Sequence, residues 1–90
     1  MTLTTKKAPA FQNRGNWIQG EVKTENRTTY NFAAKVFDEG SEYGINEGRI
    51  SKLEIRLGKE WLVNYDRGWD IKPFDKETKA VYKYILKNFN

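Results

Sequence analysis

The 90-residue chain contains neither cysteine nor histidine. Their absence excludes disulfides, thiol nucleophiles, zinc and haem sites of the usual ligand types, and the commonest general base. Most enzyme classes go with them, so no catalytic residue, metal or cofactor is expected. Proline occurs only at Pro9 and Pro73, and the second forbids a helix from starting before about Phe74. Long apolar runs are missing too. Met1–Thr5 leads into Lys6 and Lys7 without a signal-peptide core, and no stretch approaches a membrane span, so a cytoplasmic location with no membrane partner is expected.

What the chain has is rings. Hydrophobic residues make up 38% and aromatics 14%, with three Trp, five Tyr and five Phe, a composition that folds rather than stays disordered. Ninety residues suffice for one core. The formal net charge of +4 is unevenly placed. Lys6, Lys7 and Arg14 give residues 1–15 a charge of +3, and residues 74–90 carry four Lys against Asp75 and Glu77. The body between them holds nine basic and ten acidic residues, so the excess belongs to an arm and a terminal helix.

Residues 1–15 show no period and read as a flexible basic arm, held if at all through Phe11, while residues 16–90 read as one domain. From Asn16 to Lys23, Ile18 and Val22 alternate with polar neighbours, and Gly20 marks a bulge or a close contact. Tyr30, Phe32, Ala34 and Val36 alternate again after a polar turn at Thr24–Arg27. Residues 38–48 form a long loop with Gly40, Gly44, Gly48 and four carboxylates. Leu53, Ile55 and Leu57 point inward on the next strand, where Ile50 falls out of phase and predicts a bulge near Ser51.

Trp61, Val63 and Tyr65 share one side of the following strand. A three-residue turn at Gly58–Glu60 would pair Leu57 with Trp61, Ile55 with Val63 and Leu53 with Tyr65, and would set Lys52 opposite Asp66 on the solvent side. After a short extended Trp69–Ile71, a helix capped by Asp75 turns Val81, Tyr82, Ile85, Leu86 and Phe89 inward and Lys79, Lys83 and Lys87 outward. The fold class is α+β: a four- to five-stranded antiparallel β-meander covered on one face by a C-terminal α-helix.

Two segments are richer in Gly, Arg and aromatics than a connection needs. They are Glu39-Gly-Ser-Glu-Tyr-Gly-Ile-Asn-Glu-Gly-Arg49, running on into Ile50-Ser-Lys-Leu53, and Asn64-Tyr-Asp-Arg-Gly-Trp-Asp70. Together they resemble the shared motifs of a family of small uncharacterised proteins of Firmicutes and their phages, over a span from Trp17 to the terminal helix. The resemblance implies a phage or mobile-element accessory protein in the host cytosol and carries no activity or site residues. The glycine loop reads either as a ligand clamp or as a chain needing positive φ in several turns. It is neither a P-loop nor an EF-hand, because the required residues and spacing are absent.

Candidate ligand-binding residues are Tyr43, Arg49, Tyr65, Asp66, Arg67, Trp69 and Asp70. Arg67 and Trp69 would stack on a planar ligand while Asp66 or Asp70 accepts its hydrogen bonds, and the plain alternative is an Arg–Asp pair fixing a tight turn. The leading expectation is a non-catalytic accessory protein that counters a bacterial defence, either by sequestering a nucleotide signal or by blocking a host protein. A nucleic-acid-binding factor using the arm and helix is the second, and a small hydrolase using Asp66 and Asp70 the third.

Overall fold

Alternation of apolar and polar side chains resolves into six strands and one helix in a computed structural model that describes residues 1–7 and 16–90. The strands are β1 (Thr2–Lys7), β2 (Asn16–Lys23), β3 (Thr29–Val36), β4 (Ile50–Leu57), β5 (Glu60–Asp66) and β6 (Trp69–Ile71). A 3-10 turn at Ile45–Glu47 lies between β3 and β4, and α1 spans Lys76–Phe89. The strands form one antiparallel sheet in the order β1-β2-β3-β4-β5-β6, so each pairs with its neighbour in sequence.

The sheet therefore has six strands rather than four or five. The additional one is β1, because Thr2–Lys7 pairs along its length with Ile18–Lys23. Threonine-rich sequence with one apolar residue, Leu3, gave no clear period, but a ready partner edge on β2 supplies the hydrogen bonds that periodicity did not announce. Tyr84 Oη donates to the Met1 carbonyl at 3.3 Å and ties this strand to the helix. Residues 8–15, including Phe11 and Arg14 of the proposed arm, lie outside the described residues.

One face of the sheet is dry. Gly20, Phe32, Ile55 and Val63 lie side by side across β2–β5, flanked by Ile18, Ala34, Leu53 and Tyr65. Phe32, Ala34, Leu53, Ile55, Val63 and Tyr65 are all buried. A Cβ on Gly20 would overlap the Thr4 carbonyl oxygen of β1 and come within 2.9 Å of the Phe32 ring, so glycine there permits close approach rather than making a bulge. The helix covers this face with Val81 and Ile85, both fully buried, while Phe89 reaches the Phe32 ring at 6.1 Å between centroids. Asp75 has the extended backbone of an N-cap but makes no side-chain capping bond.

The β4–β5 hairpin departs from the expected register. Leu57 pairs with Glu60 and Arg56 with Trp61, so the turn has two residues, and the shift between Ile55 and Arg56 restores the Ile55–Val63 and Leu53–Tyr65 pairs. Gly58 at φ 62° supplies the positive dihedral that a two-residue turn with glycine first requires. The irregularity turns Trp61 to the face opposite Val63 and Tyr65. The bulge expected near Ser51 is present, since Lys35 pairs with Lys52 and Val36 with Ile50.

Candidate functional site

Both unusual segments converge on the end of the sheet where β3 and β5 finish and β4 begins. The glycine loop is fastened there by its own backbone and by the end of the helix. Ser41 N–H donates to Gly48 O, Glu47 N–H to Gly44 O, and Ile45 is buried beneath the turn. Asn90 completes the closure, accepting from Ile50 N–H at 2.9 Å and donating to Ile45 O at 3.0 Å. The positive φ angles belong to Asn46 (53°) and Glu47 (59°), not to the glycines. Glycine is needed for close approach instead, because a Cβ on Gly40 would meet Glu47 O at 2.5 Å and one on Gly48 would overlap the Asn90 side chain.

Several candidate residues are engaged within the protein. Arg49 Nη2 donates to Phe89 O at 2.9 Å, placing its charge on the helix C-terminus where the macrodipole favours it. Tyr65 is buried and its hydroxyl donates to Tyr43 O at 2.7 Å, which leaves the Tyr43 ring 54% exposed. Trp69 stacks edge-on against Tyr65 at 5.0 Å and Tyr82 at 5.5 Å. Burial raises the Tyr82 hydroxyl above its ordinary pKa, with Tyr65 adding to the effect. Tyr43, Tyr65 and Trp69 thus gather on the helix side of the sheet.

The two carboxylates are held elsewhere. Asp66 pairs with Lys52 at 3.6 Å, and Asp70 accepts from Asn64 Nδ2 at 3.2 Å. Lys52 and Asn64 both belong to the face away from the helix. Between them the exposed Arg67 holds a left-handed φ of 58° and donates its N–H to Ser51 O at 3.0 Å. The candidate set is therefore divided by the sheet, and Arg49 is removed from it by the helix.

The face away from the helix carries residues that the sequence placed outward without grouping them. Pairing sets Trp17, Lys35, Lys52 and Asp66 in one row, then Gln19, Ala33, Glu54 and Asn64, then Glu21, Asn31, Arg56 and Trp61. A shallow cleft of about 210 Å³ opens here, lined by Trp17, Lys52, Leu53, Glu54, Asn64, Tyr65 and Asp66. At the far row the Arg56 guanidinium lies 5.3 Å from the centre of the Trp61 ring, which is 46% exposed, and 4.0 Å from Glu54. The signal for this surface was available: a single helix covers one face of a sheet and leaves the other open. Only the position of Trp61 required the irregularity in β5.

Among the described residues, no three carboxylates converge as a metal-binding group. Among the described residues, no helix is long and apolar enough to cross a membrane. A family model described as a domain of unknown function, DUF7678, matches residues 16–90. No curated protein and no solved structure matches the chain.

Proposed function

The chain belongs to the DUF7678 family, and we propose that it acts without catalysis, as an accessory protein whose open sheet face blocks a partner protein. The observation that carries this reading is the open face itself. Trp17 and Trp61 stand at opposite ends of a surface on which Lys52 pairs with Asp66 and Arg56 with Glu54, while Lys35 lies over the Phe37 ring and Glu21 stands apart. Tryptophan and arginine are the residues that anchor protein interfaces, and internally paired charges accept a surface of mixed sign without leaving an ion unpartnered.

Size favours this reading over nucleotide capture on the same face. Small-molecule sites run to about 300–1,000 Å³ and enclose most of their ligand. The cleft holds about 210 Å³ and is open, so a nucleotide seated there would remain largely in water. Arg49, wanted for phosphate recognition, is bonded to the helix terminus. The role of countering a host defence rests on the resemblance of the Glu39–Leu53 and Asn64–Asp70 segments to phage-borne proteins, and blocking a host protein is the form of it that suits an open face.

The test compares tagged wild-type protein, a Trp17→Ala/Trp61→Ala double variant and a Lys59→Ala control recovered from the native host. A partner retained by wild type and control but lost from the double variant supports the reading. Identical partners on all three proteins, or a rise in melting temperature with a nucleotide, would overturn it, since any ligand of the folded state must stabilise that state.

A further inference from the structure

The helix has a second face. Lys76, Lys79, Lys83 and Lys87 stand at positions i, i+3, i+7 and i+11 of α1, within about 80° of arc at 100° per residue. That arc lies opposite the fully buried Val81 and Ile85, and all four lysines are exposed. Among the described residues none of them makes an ion pair. Asp75, four residues before Lys79, does not pair with it. Glu77, the acid within the helix, is turned inward, where it accepts from Tyr30 Oη at 2.6 Å and from Asn26 Nδ2 at 2.8 Å.

A row of like charges at helical spacing repels itself, and helices commonly relieve that repulsion with carboxylates at i+3 or i+4. Here the available carboxylate is committed to a buried tyrosine. The residue exposed between the lysines is Ala80, so the face offers charge and no large apolar group. From Lys76 to Lys87 the row extends about 16 Å at 1.5 Å per residue. It is a line of charge.

We propose that this lysine row binds the backbone of single-stranded nucleic acid, independently of base sequence. A strand laid along a row of about 16 Å brings several consecutive phosphates past it, so each lysine can meet one. A bilayer fits less well, because a planar anionic surface engages apolar side chains along the length of a helix face, whereas here the exposed ring stands before the helix and the row itself carries none. Phe74, 91% exposed just before the helix, provides a ring on which an unpaired base can stack at one end of the row. This surface lies on the opposite side of the protein from the open sheet face and does not depend on what that face binds.

The experiment measures fluorescence anisotropy of a labelled single-stranded DNA 20-mer against salt, with vesicles containing phosphatidylserine as a parallel arm. Four phosphate contacts predict a log–log salt slope of about −2.8, so affinity should fall about 50-fold between 50 and 200 mM salt. In Lys79→Gln/Lys83→Gln the slope should halve, giving a fall of about 7-fold over the same range. Both side chains are exposed, and a melting curve checks that the variant remains folded. No binding at 50 mM salt, a slope unchanged in the double variant, or binding to vesicles without binding to the oligonucleotide overturns the proposal.

Discussion

Replacing Asn90 by alanine should destabilise the protein far more than an end-of-helix substitution normally does. Its side chain supplies the acceptor for Ile50 N–H, and Ile50 is fully buried, so truncation leaves a buried donor without a partner. That costs about 1–3 kcal/mol, and loss of the second bond, to Ile45 O, adds about 0.5–1.5 kcal/mol. The sum of about 2–4 kcal/mol stands against a total stability of about 5–13 kcal/mol for a domain of this length. At about 4–8 °C per kcal/mol, the melting temperature should fall by roughly 8–32 °C. Asn88 provides an internal control of the same residue type, since its bond to Tyr84 O at 2.8 Å lies on the exposed helix surface. Asn88→Ala should stay within about 0.5 kcal/mol of wild type. Thermal unfolding by circular dichroism measures both, and amide exchange at Ile50 should accelerate only in Asn90→Ala. Similar small shifts in the two variants, with the Ile50 amide still protected, would show that Asn90 does not hold the loop to the sheet.

Two further perturbations address the helix and its inner carboxylate. Ile85→Ala should cost about 2–5 kcal/mol, because the side chain is fully buried against the sheet, whereas Lys83→Ala should change stability little; equal effects in a denaturant titration would mean that the wrong helix face has been set against the core. Burial, followed by the hydrogen bond and negative charge of Glu77, pushes the Tyr30 hydroxyl up to about 12. A folded-state pKa above the ordinary value of 10 stabilises the protein fully below pH 10, and the contribution disappears as pH rises toward 12. Wild type should therefore lose stability relative to Tyr30→Phe across that window, and a constant difference up to pH 12 would contradict the assignment.

Strand alternation carried most of the fold, because burying one face of a sheet imposes a period of two that survives in Tyr30–Val36 and Leu53–Leu57. It failed where hydrogen bonding rather than burial decides the outcome. β1 has one apolar residue, Leu3, and pairs because β2 offers an edge. Trp61 is a large ring in phase with Val63, yet the two-residue turn at Gly58 and the shift after Ile55 give it to the other face. For the candidate site, the two unusual segments meet at one end of the sheet, but the sequence did not show how their residues are engaged. A polar side chain that will bind a ligand and one that will cap a helix look alike in sequence, as Arg49 illustrates. The glycines of the loop were expected to provide unusual dihedrals, while Asn46 and Glu47 adopt them and the glycines leave room for backbone and for Asn90.

Sequential strand order has a consequence for how the protein folds. Each strand pairs with the one before it, so the sheet grows by local hairpin closures, the kind of contact that forms quickly because little chain must be ordered to make it. The helix is different. Its cover over Phe32, Ile55 and Val63 and the Asn90 bonds to Ile45 and Ile50 join distant parts of the chain. During synthesis, the meander is complete while its apolar face is still bare, and that face stays open until Lys76–Phe89 has been made. The nascent sheet is thus the species most exposed to aggregation, and docking of the helix, rather than pairing of any strand, is the step that ends its exposure.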